Sequence, residues 1–150
     1  AEDAPEDRIL DAPLGEHLRF GSGVHTGFVA GSPPPQELLS LGGMHTFPGY
    51  FDDQFVDTRM ALLSAGLYLS GSRYFDETSR WAPLRFILSG HVGQTWGQDD
   101  DFGLDRLASD LMVEIDYWER ARIGYVLPTG VRRGESEPRI FVGWGEHVQW

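Results

Sequence analysis

The sequence predicts an all-β chain: antiparallel transmembrane β-barrel strands, about six of them visible, forming part of a larger or oligomeric barrel. Three observations predict it. Beyond residue 16, apolar residues alternate with polar or small ones at a period of two over most of the chain. The alternating runs extend over about 9–13 residues, enough to cross a bilayer when tilted, whereas strands of soluble domains average about 5–6. Alternately shorter and longer polar connections separate the runs, as in outer-membrane barrels.

Residues 1–16 are acidic, carry Pro5 and Pro13 and show no periodicity, so they read as a lead-in or linker to a barrel segment over 17–150. In the first strand Leu18, Phe20, Val24 and Phe28 alternate with His17, Arg19, Gly21, Gly23 and His25. Pro33, Pro34 and Pro35 break it and open a long loop that runs through Gly42-Gly43 to Phe47-Pro48-Gly49-Tyr50. The loop's stiff entry, its Gly-Gly bend and its apolar Phe47, Tyr50, Phe51 and Phe55 predict that it folds back toward the barrel interior.

In the second strand Ala61, Leu63, Ala65, Leu67 and Leu69 oppose Met60, Leu62, Ser64, Gly66 and Tyr68. In the third, Leu84, Phe86, Leu88 and Val92 oppose Arg85, Ile87, Ser89, His91 and Gly93. An acidic loop, Gln98-Asp99-Asp100-Asp101, precedes a strand in which Leu111, Val113, Ile115 and Tyr117 oppose Asp110, Glu114 and Asp116. Three carboxylates on one side suit a wet interior rather than a dry core. A turn near Glu119-Arg120 leads to Ile123, Tyr125 and Leu127, and the last run carries Ile140, Val142, Trp144, Val148 and Trp150 on one face. Tyr68, Trp96, Tyr117, Trp118 and Trp150 stand at strand ends, where interfacial aromatic girdles form.

Composition is compatible with this fold, since a barrel that alternates apolar and polar residues keeps its mean hydropathy low, here −0.30. No run approaches the roughly 20 apolar residues of a spanning helix. Without cysteine there is no disulfide, thiolate metal site or thiol nucleophile. The net charge of −11, with Arg as the sole basic residue besides His and no basic stripe, argues against nucleic acid as a partner.

The ordered set Gly42-Gly43, Phe47-Pro48-Gly49-Tyr50, then His91-x-Gly93-x-x-Trp96, then Tyr125-Val126-Leu127-Pro128 and an aromatic Trp150 resembles the C-terminal region of BamA/TamA-type barrels. These form the bacterial surface antigen superfamily, which includes two-partner secretion transporters and patatin-like autotransporter barrels. The resemblance implies an outer-membrane barrel of the assembly or secretion type in a Gram-negative bacterium. It implies an inward-folded loop (Gly42, Gly43, Phe47, Pro48, Gly49, Tyr50) facing a strand motif (His91, Gly93, Trp96), with Trp150 as a C-terminal assembly signal. Its partners would be outer-membrane lipid and lipopolysaccharide, further strands from the same protein or another chain, and the barrel assembly machinery. Two departures stand out: Pro48 replaces the family's loop-tip Arg, and His91 replaces the acid that locks it. Their joint loss is self-consistent, because losing one alone would strand a charge.

No catalytic residue, cofactor or metal is assigned. A small outer-membrane barrel enzyme acting on lipid is the alternative, with His25, Ser89, His91, Glu114 and Asp116 as its polar-face residues, but the Gly-x-Ser-x-Gly elbow is missing. Asp99, Asp100, Asp101 and Asp105 lack the glycine spacing of a calcium loop. Six strands are fewer than the eight or so that close a membrane barrel, so additional strands are required.

Overall fold

The structure, a computed structural model, describes residues 8–14, 16–31, 34–43, 46–52, 54–76, 78–97, 99–118 and 120–144. Trp150 lies outside them. The strands are β1 (Arg8–Pro13), β2 (Leu18–Phe28), β3 (Leu39–Leu41), β4 (Phe55–Asp57), β5 (Arg59–Ser70), β6 (Leu84–Trp96), β7 (Ala108–Tyr117), β8 (Ala121–Gly130) and β9 (Arg139–Trp144). Seven form one sheet in the order β1-β2-β5-β6-β7-β8-β9, every neighbouring pair antiparallel. β3 and β4 pair as a short ribbon inside the loop joining β2 to β5. The sheet does not close among the described residues; its edges are β1 and β9.

The strand periodicity of the sequence is reproduced from Leu18 onward. β2, β5, β6, β7 and β8 are 10–13 residues long. β1 corrects the reading of residues 1–16 as a lead-in, since Arg8–Pro13 pairs with Arg19–Val24. Ile9 and Leu10 are adjacent apolar residues, so the segment gives no alternation to read, and Pro13, which lacks an N–H, ends an edge strand where that costs little.

Register carries each sequence face across the sheet. On one side Leu63 lies opposite Val92, Leu88 opposite Val113, and Val113 opposite Tyr125. These side chains, with Val24, Phe86, Leu111, Ile115, Ile123, Leu127, Ile140 and Val142, are exposed. On the other side Ser64 lies opposite His91, His91 opposite Asp110, and Asp110 opposite Pro128. The core sits on this second side alone, where Leu41, Phe47, Tyr50 and Phe55 from the β2–β5 loop pack on Met60, Leu62 and Ala108.

Tyr68 does not join an aromatic girdle. It belongs to the loop-bearing face, where its ring covers Gly21 and Gly66, so closely that a Cβ on Gly21 would sit 3.1 Å from it. At the ends of the opposite face, Trp96 meets Phe102 edge-on with centroids 5.4 Å apart, and Tyr117 lies 6.3 Å from Trp118.

Candidate functional site

The loop between β2 and β5 folds back onto one face of the sheet. Its bend is made at Gly42 and Gly43, both at positive φ (138° and 84°), where a side chain is strained. A Cβ at Gly42 would collide with the Phe51 carbonyl, and one at Gly43 with the Asp52 carboxylate. Thr46 Oγ1 donates to the Gly42 carbonyl at 2.6 Å, Gly43 N–H to the Tyr50 carbonyl at 2.9 Å, and Phe47 N–H to the Gly43 carbonyl at 2.9 Å. This internal bonding presents Phe47, Pro48 and Tyr50 to the sheet, and all three are fully buried. Phe47 and Tyr50 meet edge-on at 4.8 Å, and Tyr50 meets Phe55 at 4.9 Å. Each such ring pair adds about 0.5–1.5 kcal/mol beyond the burial of its area.

The loop tip is held by Asp110 of β7. Gly49 N–H donates to Asp110 Oδ2 at 2.6 Å, and His91 Nδ1 lies 2.7 Å from Asp110 Oδ1. A carboxylate only accepts, so Nδ1 carries the proton in this pair. Asp110 is 2% exposed, so a charge buried there depends on both donors. Gly49 has to be glycine, because a Cβ there would sit 2.5 Å from Asp110 Cβ. The next residue, Tyr50, donates its hydroxyl to the Ser109 carbonyl at 3.2 Å. Burial pushes the Tyr50 phenol above its ordinary value, and the neighbouring Asp110 and Glu135 carboxylates push the same way.

A second clamp comes from the far edge. Arg139, the first residue of β9, donates through Nη2 to the Pro48 carbonyl at 2.8 Å and lays its guanidinium 4.7 Å from the Phe51 ring centroid. Beside it Arg132 covers Phe55 at 4.4 Å, and Gln54 Nε2 donates to the Glu135 carbonyl at 3.1 Å.

The sequence-predicted residues thus converge, with two corrections. Gly42, Gly43, Phe47, Pro48, Gly49 and Tyr50 form the tip, and His91 and Gly93 face it; Gly93 leaves room for Leu41, whose Cδ1 would lie 3.3 Å from an added Cβ. Trp96 does not face the loop, because its even position puts it on the opposite side with Phe102. Pro48 and His91 are not direct partners either. The Asp110 carboxylate stands between the tip and His91, and the arginine that holds Pro48 arrives from β9. Asp110 was readable as one of three carboxylates on a single strand face, but its partnership across 61 residues with Gly49 was not.

Asp116 and Glu114, on the same face, are 2% and 3% exposed, and Arg85 reaches Asp116 at 3.6 Å. Ser89 Oγ is buried without a hydrogen-bond partner, so the serine–histidine contact that would activate a nucleophile is not made. In the acidic loop Asp100 pairs with Arg106 at 3.5 Å, and among the described residues no three His, Asp or Glu groups converge to hold a metal ion.

Compared with known proteins, the chain matches no family model, no curated protein and no solved structure.

Proposed function

We propose that this chain is a strand block of an outer-membrane β-barrel of the assembly or secretion type, and that the β2–β5 loop is its inward-folded lumen loop. One observation carries the reading. From β2 to β9 every large apolar side chain of the main sheet that is exposed projects from the same face, and nothing among the described residues covers that face. Monomers in water rarely expose a contiguous apolar patch of this extent, whereas hydrocarbon requires one.

Two features support the direction of the barrel. The opposite face holds Ser64, His91, Asp110, Glu114 and Asp116, the composition of a lumen, and the buried loop lies on it. Strands of 10–13 residues match the span of a tilted transmembrane strand. The loop's position also agrees with what the surface-antigen resemblance implies. Lipid and lipopolysaccharide would contact the apolar face, and the barrel would form a pore or translocation domain rather than a catalytic centre.

The test is insertion. The 150-residue chain, refolded from denaturant in the presence of phosphatidylcholine vesicles, is expected to float with the lipid and to give a β-type circular dichroism spectrum. A monodisperse monomer in detergent-free buffer would end the membrane reading.

A further inference from the structure

We infer that the cleft among the connections at one end of the sheet is a docking site for a basic, apolar polypeptide segment, one that presents an arginine with apolar residues on either side of it. The connections 29–58, 97–107 and 131–138 all leave the same end of the sheet. Between them lies a cleft of about 560 Å³, within the range of about 300–1,000 Å³ usual for ligand pockets. The cleft opens at that end whatever covers the bare apolar face, so the inference does not depend on the barrel reading.

Charge selects the occupant. Asp57, Asp100, Asp105 and Glu135 line the cleft against Arg106 and Arg132. Both arginines are already engaged. Arg132 holds Glu135 through two contacts of 2.7 Å, and Arg106 lies 3.5 Å from Asp100. That leaves Asp57 and Asp105, and among the described residues neither has an ion-pair partner; Asp57 accepts the Thr58 N–H at 2.7 Å. Asp57 and Asp100 also converge, with a carboxylate oxygen of each 3.5 Å and 3.4 Å from the place a Cβ on Gly97 would take. Carboxylates gathered in a cleft raise the local concentration of cations.

A metal ion does not fit. Among the described residues no three acidic or histidine groups converge to hold one, and the wall is partly apolar. Val56 and Val131 stand exposed in it, and Leu104 is exposed next to Asp105. Apolar side chains beside unpaired carboxylates suit a chain that carries both apolar groups and positive charge. Guanidinium suits the site better than ammonium, because its planar fork takes a carboxylate with two bonds and its face lies on aromatic rings. Arg132 already does both within the cleft, with Glu135 and with Phe55.

The probe is a short fluorescein-labelled peptide alternating arginine and leucine, titrated against the full chain in a non-ionic detergent that covers the apolar face without adding charge. Saturable binding is expected, and it should weaken as salt is raised, since exposed charges are screened. Asp57→Asn combined with Asp105→Asn keeps an acceptor for the Thr58 N–H and removes both unpaired charges. The affinity of that variant is expected to fall about tenfold, the loss of two partly exposed ion pairs. Glu16→Gln combined with Asp76→Asn removes the same charge at the opposite end of the sheet and is expected to change affinity less than about twofold. Replacing leucine by serine in the peptide, or arginine by glutamate, should weaken binding. Bound peptide should also slow cleavage after Glu135 by a glutamate-specific protease and leave cleavage after Glu16 unchanged. Equal losses from the two pairs of substitutions, or equal binding of the serine or glutamate peptide, would overturn the inference. So would undiminished cleavage after Glu135, which would place the peptide on the micelle instead. Self-association of the chain without peptide, lost when Asp57 and Asp105 are substituted, would assign the cleft to a second copy and overturn it as well.

Discussion

Asp110 concentrates the loop's dependence on single groups. Its two oxygens serve two donors, Gly49 N–H and His91 Nδ1, from different parts of the chain. Asp110→Ala leaves a buried N–H and a half-buried imidazole unpaired, which costs up to about 1–3 kcal/mol for each group left unsatisfied. Asp110→Asn keeps an acceptor for Gly49 and loses less. Loop opening measured by limited proteolysis in detergent should therefore rise steeply in the Ala variant and modestly in the Asn variant. His91→Ala combined with Asp110→Ala should cost less than the sum of the two, because both remove one bond; additive effects would show that the pair does not act through that contact. Tyr50 gives a pH dependence. Its folded value is raised by burial, so its contribution is complete below the free phenol's 10.0 and is lost as pH rises through the raised value. The loop should loosen in that alkaline window. Tyr50→Phe should abolish the alkaline change while lowering resistance at neutral pH, since the bond to Ser109 is lost. The resemblance placed a lock between positions 48 and 91, and the residue scale shows why that was half legible. Both positions lie at the lock, but the atoms that bond at the tip belong to the backbone of Pro48 and Gly49, and backbone partners leave no mark in a side-chain motif.

The loop is an element with its own logic. The chain from Leu39 to Asp57 is pinned at the β3–β4 ribbon, at Asp110 and at Arg139, so it bridges the middle of the sheet to its β9 edge. Gly43→Ala should break it locally, since an αL position costs an L-residue about 1–2 kcal/mol and the new Cβ displaces the Asp52 carboxylate. Arg139→Lys tests the second clamp. Lysine retains the charge but has no planar group to lie on Phe51, so the variant should release the loop's far side. Proteolytic fragments should then begin near Phe51 rather than near Pro48, and an unchanged cleavage pattern would mean that the stacking adds nothing. At this scale the sequence was informative where period and breaker residues coincide. Leu18–Phe28, Leu84–Trp96 and Ala108–Tyr117 alternate cleanly and end at turn residues, and the Pro-rich entry and Gly42-Gly43 mark the loop. β1 was illegible because six residues with two apolar neighbours and a terminal proline carry no period. The β3–β4 ribbon was illegible too, because strands of three residues cannot show one.

For the whole molecule the decisive quantity is the asymmetry between the two faces of one sheet. Apolar residues lie bare on one face, while the other is partly roofed by the loop and carries three buried carboxylates. A soluble fold would invert that arrangement, covering the greasy side and leaving the carboxylates to water. The two faces therefore predict opposite responses to the same substitution. Leu88 and Val113 are direct cross-strand neighbours near the middle of β6 and β7, where a strand of the proposed barrel would pass the bilayer centre. In the proposed barrel an arginine in place of either would bring its guanidinium into hydrocarbon, at about 2–4 kcal/mol near the midplane. Arginine at Ser64 enters the opposite face, half-buried beside His91, where water and the Asp110 side of the sheet can solvate it. In refolding titrations with vesicles, Leu88→Arg and Val113→Arg should each lower the folded, lipid-bound fraction at a given denaturant concentration by at least tenfold in the equilibrium constant, at about 1.4 kcal/mol per decade. Ser64→Arg should shift it far less. In a water-soluble sheet the difference would vanish, since an arginine on an exposed face costs almost nothing. Equal tolerance at positions 88 and 113 would show that the bare face meets water and would remove the basis of the barrel assignment.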